Sequence, residues 1–244
     1  MNNKRKRHLK VYLVATEPSG DVIGSNLINS LKKKKNIKLQ LYGIGGPKMI
    51  NSGLKKSLFP ISELSIFGVF EVIPKIFHVL SLLKRTKNHL QKIKPDLLVT
   101  IDSPDFNFRL LKSISNALPL TKKIHYVAPT VWAWREGRAR YLSNYIDKLL
   151  TILPFESKYF RKYNLKVKFV GHPIYEIKNK LNNKKNLYKK YKLKKNSKIL
   201  SFLPGSRKSE MKKSIPVLIK TIDLINKKLN SKIHVLFYIL PHLK

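Results

Sequence analysis

Leu97-Leu98-Val99-Thr100-Ile101 is a short, unbroken apolar run that ends abruptly in Asp102-Ser103-Pro104-Asp105. Such a run reads as a strand covered on both faces, and strands of that kind belong to parallel sheets with helices packed above and below. Pro104 lacks an amide proton and biases Ser103 towards an extended conformation, so the strand stops there and the chain beyond it is re-aimed. Ligands of open α/β sheets bind beyond the carboxyl ends of the strands, which puts Asp102 at a mouth rather than in a core. In the plainer alternative Asp102 merely ends a strand and Asp105 caps a helix that begins near Asn107.

The rest of the chain repeats the theme. Residues 10–15 read as a buried strand, Thr16-Glu17-Pro18-Ser19-Gly20-Asp21 as a tight turn, and Val22, Ile23, Leu27, Ile28 and Leu31 recur at helical spacing. That turn lies at a strand tip and a helix N-terminus, where free amides suit a phosphate or sugar hydroxyls; an ordinary cap by Ser19 or Asp21 is the alternative. A strand over 38–42 runs into Gly43-Ile44-Gly45-Gly46-Pro47-Lys48-Met49, which is not the dinucleotide fingerprint because Lys48 occupies the third glycine position. A helix over 108–117, strands over 123–127 and 147–153, a short helix over 155–163 and a strand over 167–170 come next, the last ending in Gly171-His172-Pro173. This alternation predicts an α/β fold with a doubly wound parallel sheet.

The expected organisation is a first domain over 1–176, a lysine- and asparagine-rich crossover over 177–197 and a second domain over 198–244. The second domain holds a strand over 198–203, the turn Pro204-Gly205-Ser206-Arg207, a helix to Leu229 that Pro216 must begin or kink, and a strand over 234–240. One strand-helix-strand unit cannot cover both faces of a parallel sheet, so this Rossmann-like domain is expected to be incomplete.

Composition narrows the chemistry. The absence of cysteine excludes disulfides and thiolate metal sites, and the scattered histidines suggest no metal cluster. The basic opening is followed by too short an apolar stretch for an export signal, and no window is long and uncharged enough to cross a bilayer, so a cytoplasmic protein is expected. The formal charge of +38 attracts nucleic acid, anionic membrane and phosphorylated substrates alike. The lysines come in runs without the pattern of any nucleic-acid module, so no specific nucleic acid is expected as a partner. Residues 61–83 are too apolar for one face of a surface helix: the segment is either sandwiched in the core or, with Lys75, Lys84, Arg85 and Lys87 close by, laid on anionic lipid. Trp132 and Trp134 stand two apart beside Arg135 and Arg138, a surface able to pack on acyl chains or sugar faces and to pair with phosphate, or else a filled domain edge.

Six motifs carry a family resemblance: Glu17-Pro18-Ser19-Gly20-Asp21, the glycine loop 43–49, Ile101-Asp102-Ser103-Pro104-Asp105-Phe106-Asn107, His125-Tyr126-Val127-Ala128-Pro129-Thr130-Val131-Trp132-Ala133-Trp134, Phe169-Val170-Gly171-His172-Pro173 and Leu203-Pro204-Gly205-Ser206-Arg207. In this order they resemble the lipid-A-disaccharide synthases, inverting glycosyltransferases of the two-Rossmann-domain (GT-B) class. The resemblance implies transfer of 2,3-diacylglucosamine from its UDP form to 2,3-diacylglucosamine 1-phosphate, giving a β-1,6-linked disaccharide and UDP at the anionic inner face of the inner membrane. UDP-sugar is then a substrate, and no cofactor or metal is implied. The resemblance assigns Asp102 as general base and Arg207 as the group that stabilises the departing diphosphate. It puts Glu17, Ser19, Gly20, Asp21, Asp105 and Asn107 against substrate, with Gly45, Gly46, Trp132, Trp134, Arg135, His172, Gly205 and Ser206 as further contacts. Ile66, Phe67, Val69, Phe70, Ile73 and Ile76 would meet acyl chains or the membrane.

The sequence also departs from the pattern. Thr16 and Pro18 stand where the family usually has small residues, and the serine-glycine-threonine and glutamate motif expected to grip the UDP-sugar is not found. The expectation is therefore a truncated or split enzyme that works as a homodimer or with a separately encoded C-terminal half. Two other readings stay open: a non-catalytic fragment that holds acylated sugar phosphate at the membrane, and a basic nucleic-acid-binding protein.

Overall fold

Val11, Leu13 and Ala15 alternate with Tyr12 and Val14 along the first strand, and all five are fully buried. The odd residues join one hydrophobic cluster and the even residues another, so this strand is covered on both faces. The computed structural model describes residues 7–64, 72–177, 184–194, 197–205, 208–229 and 233–239. In chain order the elements are β1 (Arg7–Ala15), α1 (Pro18–Lys32), β2 (Ile37–Ile44), α2 (Pro47–Ser52), a 3-10 turn (Ile61–Glu63), α3 (Val72–Ile93), β3 (Leu97–Ile101), α4 (Pro104–Ile114), β4 (Lys122–Tyr126), α5 (Gly137–Ser143), β5 (Lys148–Thr151), α6 (Ser157–Arg161), β6 (Lys166–Phe169), α7 (Ile174–Ile177), α8 (Lys184–Lys190), β7 (Lys198–Phe202), α9 (Lys208–Leu229) and β8 (Ile233–Phe237).

They fall into two units, Met1–Ile177 and Lys178–Lys244. The first is an all-parallel six-stranded sheet in the order β2-β1-β3-β4-β5-β6. Ile23 and Ile28 of α1 and Met49 of α2 bury one face; Leu82, Leu83 and Leu90 of α3, Phe106, Phe108 and Leu110 of α4, Leu142 of α5 and Phe160 of α6 bury the other. This is the doubly wound sheet expected from the alternation of strands and helices. Each fully buried aliphatic or aromatic side chain contributes about 1.5–3 kcal/mol relative to exposure, and β1 and β3 concentrate that gain at the centre of the sheet. Tyr12 enters the core with its hydroxyl hydrogen-bonded to His89 Nδ1 at 2.9 Å, and burial holds that hydroxyl well above its ordinary pKa.

The second unit pairs β7 with β8 in parallel, from Lys198 opposite Ile233 to Phe202 opposite Phe237, with α9 as the crossover. It is one Rossmann-like strand-helix-strand step, as expected. Pro216 lies inside α9 rather than at its start.

Two expected helix starts shift for one physical reason. The α1 helix begins at Pro18, not after Asp21, so Ser19, Gly20 and Asp21 form its first turn. Proline is tolerated at that first position because its missing N–H would have had no intrahelical partner there. The α4 helix likewise begins at Pro104, four residues before the expected start, for the same reason. In α3, Leu82 and Leu83 are core while Ile76, Phe77 and Leu80 are exposed, Phe77 by 70%. The helix therefore has a core side and an outward apolar side. Ile66, Phe67, Val69 and Phe70 lie outside the described residues, as does the side chain of Ile73.

Candidate active site

The chain passes from β1 outward to β2 and then crosses to β3 on the other side of β1, so the order reverses between β1 and β3. A parallel sheet opens a crevice at such a switch point, beyond the carboxyl ends of the two strands. Glu17, the N-cap residue of α1, stands at one lip, and Asp102, one residue past β3, stands at the other. Gly20 lets the helix close in: a Cβ there would sit 3.3 Å from Ala15 Cβ and 3.6 Å from the Ile101 carbonyl oxygen. Ser19 remains exposed in the same turn.

The β3 tip is wound tightly. Asp102 and Ser103 both have left-handed backbones, with φ of 53° and 46°. Consecutive non-glycine residues there are strained and persist only when their surroundings over-determine them. Three contacts do so: Asp102 N–H donates to the Tyr126 carbonyl at 2.9 Å, and the Asn107 side-chain amide donates to the carbonyls of Asp102 (2.7 Å) and Ile101 (3.3 Å). Asn107 is fully buried. It clamps the tip from behind, whereas the expectation has it facing substrate, and Asp102 is half-buried. Val127, one residue past β4, and Arg135 also have positive φ, 76° and 54°. Four of the seven such non-glycine residues described thus lie in the two loops after β3 and β4. Behind these loops Ser103 Oγ, Asn107 Oδ1 and His125 Nε2 are buried without a hydrogen-bond partner. His125 Nδ1 meets Thr100 Oγ1 at 2.8 Å, and full burial pushes the imidazole pKa down to about 3.

Asp21 is placed differently from its expected role. Its carboxylate accepts N–H bonds from Gly46 (2.9 Å), Lys48 (3.0 Å) and Met49 (2.9 Å), so it caps α2 from another helix and is 3% exposed. Gly46 is a glycine for the same reason, since a Cβ would come within 2.6 Å of that carboxylate. Gly45 packs against Met49 and donates its N–H to Ser57 Oγ. All three are engaged inside the protein, unlike the expected contact with substrate.

The loop after β4 brings charge to the Asp102 tip. Arg138 donates to the exposed Asp105 carboxylate at 2.8 Å, while the guanidinium carbons of Arg135 and Arg138 lie 4.1 and 5.7 Å from the Trp134 ring centre. Trp132 stands edge-on to Phe155, 5.4 Å between ring centres, and both tryptophans are substantially exposed. Glu156, at the tip of β5, accepts the N–H groups of Ile152 and Leu153; burial raises its pKa although those bonds oppose the shift. His172, past β6, accepts the Ile174 N–H on Nδ1 and lines a cleft of about 220 Å³ with Tyr126, Ile23 and Leu27.

In the second unit Gly205 has φ of 130°, and a Cβ there would lie 2.7 Å from Glu210 Cβ, so the turn after β7 requires glycine. Ser206 and Arg207 lie outside the described residues. Among the described residues no three His, Cys, Asp or Glu side chains are grouped to hold a metal ion, and no helix is long and apolar enough to cross a membrane.

The family model for lipid-A-disaccharide synthetase matches residues 11–242. The chain belongs to this family. The lipid-A-disaccharide synthase of Rhodospirillum centenum is 39% identical over 217 residues, covering 89% of this chain and 54% of that protein. The Rickettsia bellii synthase is 40% identical over 228 residues, covering 93% and 59%. The chain thus spans little more than half the length of these curated relatives. In solved structures the fold resembles UDP-GlcNAc 2-epimerase from Neisseria meningitidis bound to UDP-GlcNAc, with TM-score 0.60, 11% identity and coverage of 97% of this chain and 67% of that one. It also resembles the UDP-N-acetylglucosamine 2-epimerase from Rickettsia bellii, with TM-score 0.58, 15% identity and coverage of 98% and 63%. The six motifs quoted from the sequence lie at the strand tips. Motif reading missed two pairings between residues distant in sequence, Arg138 on Asp105 and Phe155 on Trp132, and one local one, Asn107 on the Asp102 peptide.

Proposed function

We propose that the chain serves the glycosyl transfer for which its family is named. In this reaction the acceptor hydroxyl of 2,3-diacylglucosamine 1-phosphate attacks the anomeric carbon of UDP-2,3-diacylglucosamine from the face opposite the diphosphate. The new C–O bond forms as the bond to UDP breaks, and configuration inverts. Asp102 takes the hydroxyl proton, Arg207 meets the charge that develops on the departing diphosphate, and no cofactor takes part. The observation that carries this reading is the clamped tip at the switch point, which holds a carboxylate at the mouth in a conformation that few residues other than glycine, asparagine and aspartate adopt readily.

Glu17, Ser19 and Gly20 would line the acceptor side. The exposed face of α3, with Ile76, Phe77 and Leu80, would rest on the anionic inner-membrane surface. The test is disaccharide and UDP formation by the 244-residue chain, alone and mixed with a separately produced C-terminal portion of a relative. Asp102→Asn should lower turnover by ~10²-fold or more without loss of the folded state, read by circular dichroism. Full turnover in that variant would remove the base assignment. The apolar face of α3 also favours a second reading, in which acylated sugar phosphate is held at the membrane without turnover; binding with no UDP release in any mixture would select it.

A further inference from the structure

We propose that Arg138 and Arg135, gathered on Trp134, form a phosphomonoester subsite whose exchangeable counter-ion is the Asp105 carboxylate. The inference deepens the transferase reading and rests on it for the identity of the sugar. Arg138 has 22% of its side chain exposed, whereas Asp105, its partner at 2.8 Å, has 83%. A solvated carboxylate on a largely covered guanidinium is weakly held and easily displaced. A phosphate dianion carries more charge and presents oxygens to both donors of the guanidinium fork, so it replaces a single carboxylate contact with a stronger one. Of the groups just before α5, Glu136 is already paired with Lys162, and among the described residues Arg135 is in no ion pair, which leaves its guanidinium available from the indole face. The left-handed backbone at Arg135 sets where that side chain leaves the loop.

Asp105, which Arg138 holds, lies just past Asp102 on the same strand-to-helix turn, and β4, the strand that leads to Arg138, pairs with β3. In a hexose 1-phosphate the phosphate on C1 and the hydroxymethyl group on C5 flank the ring oxygen, so the anion and the primary hydroxyl lie along one edge of the ring. A phosphate on Arg138 would then leave that hydroxyl free to turn towards the neighbouring Asp102 tip. Asp105 then acts as a gate on the acceptor, not as a contact to it.

The experiment is calorimetric titration of the full chain with glucosamine 1-phosphate, inorganic phosphate and glucosamine. Because +38 of charge gives background anion binding, the informative variants preserve the charge or neutralise only the competitor. Arg138→Lys should weaken glucosamine 1-phosphate roughly tenfold, since lysine keeps the charge and loses the fork. Asp105→Asn should tighten it several-fold, and Arg140→Lys on α5 should leave it unchanged. Inorganic phosphate should follow the same ranking with lower affinity if the sugar is also gripped, and with equal affinity if phosphate alone is; glucosamine should not bind. Arg138→Lys matching Arg140→Lys, or Asp105→Asn weakening binding, would overturn the subsite. Since Asp105 is exposed, its variant tests the proposal even if Arg138→Lys unfolds. Loss of the subsite with disaccharide synthesis intact leaves the transferase reading standing, whereas intact binding with no synthesis in any mixture removes that reading and leaves the subsite.

Discussion

Ser103 bears two burdens at once: a left-handed backbone and a buried hydroxyl without a partner. Glycine removes both, so Ser103→Gly should raise unfolding stability by about 1 kcal/mol in urea titrations. A destabilised variant would mean that the hydroxyl has a role in holding the tip. His125 gives a pH signature. Its folded pKa of about 3 lies far below the unfolded value, so the unfolded state binds the extra proton between those limits. Stability from this group is complete above the unfolded pKa and is lost as pH falls towards about 3. Between pH 7 and pH 5 the protein should lose about 2 kcal/mol more than a His125→Gln variant, in which that proton has no site. Parallel curves for the two would exclude a neutral, buried imidazole.

At the scale of elements, Asp21 ties α1 to α2 through three amide bonds to one carboxylate. Asp21→Ala leaves those donors unpaired, and a cost of about 3 kcal/mol is expected, measured as a shift in the denaturation midpoint at constant slope. This bond set also shows where reading the sequence stops. The strands were legible because short apolar runs covered on both faces have few other readings, and the carboxylate at the end of β3 was legible because Pro104 marks the stop. The partners of Asp21 and Asn107 were not, because an acid beside a glycine and an asparagine after a proline look like ligand groups until the chain folds their partners beside them. Arg138 reaches Asp105 across the β3–β4 junction, a pairing that no local spacing encodes.

At the scale of the whole molecule, the two units differ in what they can support alone. The first buries both faces of its central strands, whereas the second has one strand pair among the described residues and leaves Leu203, Val217, Leu224 and Tyr238 more than half exposed. A chain ending at Ile177 should therefore unfold cooperatively in calorimetry, and residues 178–244 alone should show no cooperative transition. A sharp transition in the second fragment would contradict this division. The order of strands has a further consequence during synthesis. β1 leaves the ribosome first yet occupies the interior of the sheet, and Val11 must wait for Leu97 to emerge before that flank is matched. At ordinary translation speed the delay is on the order of ten seconds. Throughout it a greasy ribbon with one unpaired edge is on offer to chaperones or to neighbouring nascent chains, so slowing elongation between β2 and β3 should lower soluble yield even though the finished protein is unchanged.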